Sequence, residues 1–174
     1  MASFDTADLT DLSWWSIVPG SGVGVIAASQ RDAAHAWLQQ HGFRVSTHEC
    51  RGGLAQLIPS LDAPLRWREK FGYELKPTNR NLDALNDGFR NLEVPDDGGL
   101  VLELVEPEIA LAEDPRWFRG LLSIASRRSR YELAFSRRFF VLLVVTEGSP
   151  IIGDEYDHVA APGPYWRPHR RPPQ

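Results

Sequence analysis

Cysteine is nearly missing from this chain. Cys50 is the only one among 174 residues, so no intrachain disulfide is possible, and a reducing compartment is compatible. Long apolar runs are missing too: the longest, "FFVLLVV" at 139–145, falls far short of the roughly 20 residues that span a bilayer. The first residues, "MASFDTADLTDLSWW", have neither the basic start nor the apolar stretch of a secretory signal. A soluble, cytoplasmic protein with no membrane association is therefore expected. Metal and nucleotide motifs are equally scarce. "GSGVG" at 20–24 lacks the G-x-G-x-x-G spacing and no P-loop lysine follows, so it reads as a plain turn. His48 and Cys50 flank Glu49, but no CxxC or HxxxH partner accompanies them, and a surface histidine beside a buried thiol is the expectation. No cofactor and no metal are expected.

What is present suffices for one core: 43% of the residues are hydrophobic and 24% charged. "VGVIAA" at 23–28 reads as a short strand, with Trp14–Val18 placed beside it as a hairpin arm. Ser29 is positioned to cap a helix over 30–41 with Ala33, Ala34, Trp37 and Leu38 as its apolar stripe, and Gly42 suits its end. "FRVSTHEC" alternates like a half-buried strand. Leu54, Leu57, Ile58 and Leu61 have helical spacing that Pro59 should break, with a second helical piece from Asp62 through "APLRWREKF". "LVLELV" at 100–105 is apolar with one interruption. Asp114 and Pro115 open a helix in the favoured cap-then-proline order, with Trp117, Phe118, Leu121, Leu122 and Ala125 on one face, and "FFVLLVV" follows as a buried strand. Strands apolar on both faces, separated by helices, predict an α/β fold with a mostly parallel sheet covered by helices. Six of the 13 prolines lie in 146–174, which reads as a tail.

The stretch "NRNLDALNDGF" at 79–89 holds the most informative pattern. Asn81 is a good N-cap, and Leu82, Leu85, Phe89 and Leu92 make one apolar helix face. Asp83, Asn86, Asp87 and Arg90 then share the other. Two aspartates four apart repel by a few tenths of a kcal/mol, and only Asp83 sits in the first turn, where the helix dipole favours an acid. Stability alone does not select this pair. Charge is also segregated: residues 83–114 hold ten acids and one base, whereas 115–145 hold seven arginines and one glutamate. The acidic block suits a basic partner and repels phosphates. Arg127, Arg128, Arg130, Arg137 and Arg138, interleaved with Tyr131 and Phe135, are candidates for RNA contact or, at least as readily, for complementing a helix C-terminus. An exposed acid pair with no Gly-rich or His-bearing neighbour is a poor catalytic or Mg2+ site, and no enzyme activity is expected.

"NLDALND" at 81–87, preceded by a helix and "FGY" and followed by "LVLEL", a helix and "FFVLLVV", resembles the barstar family, intracellular inhibitors of the bacterial ribonuclease barnase. The resemblance covers residues 43–146. It implies a small parallel sheet of three strands covered by helices, with 1–42 as a strand-helix extension packed on the core that leaves room for a fourth strand, and 147–174 as a proline-rich tail. It further implies an immunity protein, one half of a toxin–antitoxin pair, whose acidic helix and leading loop block the basic active site of a cognate ribonuclease. Carried over by residue, the two acids meeting the phosphate-binding cations are Asp83 and Asp87, Asn81 and Asn86 are neighbouring contacts, and Tyr73 stands for the family's stacking tyrosine. Asn86 replaces an aromatic common in the family, Gly88 replaces a cysteine, and "RRSRYE" replaces acids at the binding rim. The alternative is a barstar-like module that binds another basic protein, or RNA, without inhibiting a nuclease; nucleic acid is the less favoured partner.

Overall fold

The structure is a computed structural model, and it describes residues 22–152. The expected hairpin arm at 14–18 and the tail beyond 152 lie outside these residues. Four strands form one sheet: β1 (Val23–Ala27), β2 (Phe43–Glu49), β3 (Gly99–Val105) and β4 (Phe139–Val145), in the order β1-β4-β3-β2 with every pair parallel. β1 pairs along β4, so the strand from the N-terminal region supplies the fourth member of the sheet. The fold is thus α/β with a parallel four-stranded sheet flanked by helices. Parallel neighbours need crossovers, which accounts for the helices between successive strands.

β3 and β4 are buried at every position, which is why their sequences are continuous apolar runs. One face packs Leu100, Leu102, Leu104, Phe139, Val141 and Leu143 against α2 (Leu54–Ser60), α3 (Trp67–Phe71), α4 (Leu82–Phe89), α5 (Glu108–Glu113) and α6 (Pro115–Ala134). The other presents Val101, Val105, Phe140, Leu142 and Val144 to α1 (Arg31–Gln40) through Ala34 and Leu38. Among the described residues, Leu133 near the end of α6 also packs against that face. Among its expected stripe residues, Ala33 is exposed and Trp37 only partly buried.

Several helix ends follow their local chemistry. Asn81 Oδ1 accepts from the backbone N–H groups of Asp83 and Ala84, and Asp114 Oδ1 accepts from Trp117 N–H at 2.9 Å with Pro115 in the first turn. Others differ from expectation. Ser29 does not cap α1; it lies in a 3-10 turn, Ala28–Gln30, where Gln30 Oε1 accepts from Ala27 N–H. Pro59 lies inside α2, one residue before its end. The next helix starts at Trp67 and not at Asp62, whose carboxylate instead accepts from Leu75 N–H at 2.7 Å and ties down the following loop.

Gly98, which leads into β3, has φ +76°, and a Cβ there would overlap the carbonyl oxygen of Gly42, itself at φ +73° after α1. Gly98→Ala should lower the unfolding free energy by about 2 to 4 kcal/mol, combining left-handed strain with overlap against backbone. Urea unfolding of the two proteins checks this.

Candidate functional site

α4 is held by its apolar face. Leu85 and Phe89 are buried in the core, each contributing roughly 1.5–3 kcal/mol. Gly88 sits where a Cβ would come 3.0 Å from the indole of Trp67, so its missing side chain lets the helix lie flat on that buried ring. Gly120 does the same on α6, where the Leu82 side chain fills the space. The opposite face is thereby fixed outward: Asp83, Asp87 and Arg90 are exposed, and Asn86 is half-buried. Tyr73 is 46% exposed and leans edge-on against Trp67 with ring centres 6.1 Å apart, so it belongs to the same aromatic layer that supports α4.

The side chains around the acid pair are of mixed sign. Asp87 Oδ1 lies 3.2 Å from Arg90 Nη1, one turn along. Asn86 Oδ1 accepts a long bond of 3.5 Å from Arg127. Asp83 shares a surface depression with Arg80, Asp114, Arg116 and Trp117, and Arg80 is paired with Asp114 at 3.3 Å. Asn81 is occupied as the cap, which leaves its amide N–H groups for any outside contact. Among the described residues, no hydrogen bond or ion pair engages the Asp83 carboxylate, and no group of three or more His, Cys, Asp or Glu is arranged to hold a metal.

Most of the acidic block from 83 to 114 is engaged in contacts within the molecule, several of them at the surface. Glu113 accepts from Leu54 N–H at the start of α2, Glu108 from Thr146, Glu93 pairs with Arg66, and Glu106 lies 2.7 Å from Arg51. The arginine block is likewise divided. Glu132, fully buried, is clamped by Arg128 and by Arg137, the latter at 2.6 Å, so Arg128 belongs to the fold and is not the rim cation expected from its position. Arg127 and Arg130 remain exposed. The surface around α4 is therefore less acidic than the sequence blocks imply.

Compared with protein-family models, curated proteins and solved structures, the chain matches none.

Two polar clusters were not legible beforehand. Glu103, the interruption in "LVLELV", is fully buried on the α1 side of the sheet. Arg31 donates to it from Nε at 3.1 Å and Nη2 at 2.8 Å, Thr47 Oγ1 donates at 2.8 Å, and His35 Nε2 lies 2.7 Å away. Burial disfavours the charge, but the bonds from Arg31, Thr47 and His35 outweigh it and hold the carboxyl below its usual range. The one available signal was an acid inside an apolar run, which demands buried partners. The second cluster corrects an expectation: His48 is buried, not at the surface. Ser60 Oγ donates to the Leu57 carbonyl at 2.7 Å, so it must accept from His48 Nδ1–H at 3.0 Å, leaving Nε2 to accept from Ser46 at 3.0 Å. Both ring nitrogens are satisfied in the neutral form, and burial, the dominant cause, pushes the imidazole down to about 4. Cys50 is buried as expected, with its thiol raised to about 12 by burial first and Glu49 second, so it is unreactive.

These two groups make acid destabilising. The unfolded chain protonates His48 below pH 6.5 while the folded one resists until about 4, so stability is intact above pH 6.5 and falls on the order of 3 kcal/mol across that interval. Glu103, with its folded value depressed, adds a loss in the same direction at lower pH. His48→Gln should flatten the decline between pH 6.5 and 4, measured by denaturant unfolding at each pH; an unchanged slope would place the titration elsewhere.

Proposed function

We propose that this chain is a barstar-like protein inhibitor that binds the basic active site of a ribonuclease with α4 and the loop before it. The carrying observation is the exposed pair Asp83 and Asp87, one turn apart on a helix whose other face is anchored by Leu85 and Phe89. A carboxylate pair held at about 5–6 Å between Cβ atoms is a preorganised counterpart to two cations that normally hold phosphate. The cost of keeping like charges together is recovered when a partner neutralises both. The α/β frame with parallel strands and the capped acidic helix agree with the resemblance, which supplies the identity of the target class. On this reading Tyr73 and Asn86 supply secondary contacts, and Asn81 sets the helix start that places Asp83. The protein acts by occupying the site, without turnover of its own.

The direct test is inhibition of a barnase-type ribonuclease, and of any nuclease encoded beside this chain, by the purified protein. Asp83→Asn and Asp87→Asn should each weaken binding by about 2 kcal/mol or more, as expected for truncating one partner of a desolvated charge pair. Both should leave unfolding free energy within about 0.5 kcal/mol, since the pair is exposed and Asp87 gains little from Arg90 at the surface. Binding by titration calorimetry and stability by urea unfolding separate the two effects. A variant that unfolds early yet inhibits normally assigns the acids to the fold instead. Nuclease or hydrolase turnover that is lost with either substitution would replace the inhibitor reading with an enzymatic one.

A further inference from the structure

The C-terminal turn of α6 and the residue that follows it expose two aromatic rings where a folded surface ordinarily hides them. Tyr131 is 53% exposed and Phe135 57%, and they stand one helical turn apart with centroids 4.9 Å from each other. Each is backed by a guanidinium, Arg128 at 5.2 Å from the Tyr131 centroid and Arg137 at 5.7 Å from that of Phe135. Both guanidiniums are in turn fixed on buried Glu132, so the cations supporting the rings are anchored in the fold. Arg127 and Arg130 lie on the exposed side of the same turns, with no acidic partner among the described residues. Beside them a groove of about 490 Å³ runs between α4 and α6, floored by Phe89 and Ile124 and edged by Asn86, Arg127 and Tyr131.

We propose that this surface binds single-stranded nucleic acid, with bases stacking on Tyr131 and Phe135 and backbone phosphates meeting Arg127 and Arg130. Single strands are held by this combination, aromatic platforms for the π-faces and cations for the backbone, with little sequence readout. The groove is within the range of small-ligand pockets and accepts one splayed base, where the Asn86 amide offers a donor and an acceptor to a base edge. An acidic peptide would use the arginines but has no need of two adjacent exposed rings. A duplex keeps its bases stacked inward and leaves the platforms unused. The surface adjoins the Asp83–Asp87 pair through Asn86 but includes neither aspartate, and the proposal does not rest on inhibition of a nuclease.

The test uses the full chain and a fluorescein-labelled oligouridylate of about eight nucleotides, read by anisotropy. Binding at low salt is expected, and raising salt from about 50 to about 200 mM should weaken it about sevenfold if two phosphates are neutralised. Tyr131→Ala and Phe135→Ala should each weaken it about tenfold, with the far-ultraviolet spectrum unchanged because both rings are exposed. Should either alanine variant fail to fold, Arg127→Gln combined with Arg130→Gln carries the same test, with loss of most of the salt dependence expected. Absence of binding at low salt overturns the proposal, as does binding that ignores these substitutions. Equal affinity for polyglutamate overturns it as well and assigns the surface to an acidic protein partner.

Discussion

Two central parallel strands with no solvent-facing side impose the requirement that the rest of the structure meets. β3 and β4 are buried at all positions, so each face must be roofed, and every link between neighbouring parallel strands must cross over. Among the described residues, α2 to α6 pack on one face, and α1, joined by Leu133 of α6, packs on the other. On the α1 side, Glu103 occupies a position that hydrocarbon would ordinarily take. It is tolerable because Arg31 and His35, a helical turn apart on α1, and Thr47 on β2 all reach its two oxygens. A fully satisfied network of this kind ties α1 to the strand beneath it in one register, whereas removing any member leaves a buried charge short of partners.

Folding also redistributes charge in a way that sums along the sequence do not capture. The excess of acids between 83 and 114 looked like a single acidic surface. In the structure most of those acids satisfy backbone N–H groups at helix starts and strand ends, or pair with arginines distant in sequence. What the exterior retains near α4 is a pair of aspartates set among arginines. The same holds for the arginine-rich end of α6, where one buried glutamate absorbs two guanidiniums and leaves two outward.

The sequence was most informative wherever the determinant is local. Asn81 with the Leu82, Leu85, Phe89 spacing marks α4 to within a residue, and Asp114-Pro115 marks α6, because a cap and a periodic apolar stripe are written within one segment. β3 and β4 were legible for the same reason. Most of the misses are relations between distant positions. Glu103 and Arg31 are 72 residues apart, and nothing in either segment names the other. His48 looked like a surface residue because alternation in an edge strand does not reveal that Ser46 and Ser60 close over the ring. Trp67 and Gly88 form one packing unit whose halves lie in separate helices, so the glycine could only be noted as an oddity in α4. Asp62 read as a helix start because aspartate is a good cap, yet its carboxylate serves the loop at Leu75.

The placement of α4 against α6 limits what any partner can be. Asp83 and Asp87 face outward, while Asn86 and Arg90 lean toward the groove whose far wall carries Arg127 and Tyr131. A partner broad enough to cover α4 therefore meets negative charge along one line and positive charge along the next. A uniformly basic surface gains at the aspartates and loses at the arginines, and a uniformly acidic one does the reverse. Like-charge juxtaposition at a desolvated contact costs several kcal/mol, so complementarity must alternate in sign across the width of a single helix. That condition excludes most surfaces that would satisfy the acid pair alone. On the inhibitor reading proposed above, selectivity resides in the arginines beside the aspartates, and the aspartates supply the attraction common to all candidates.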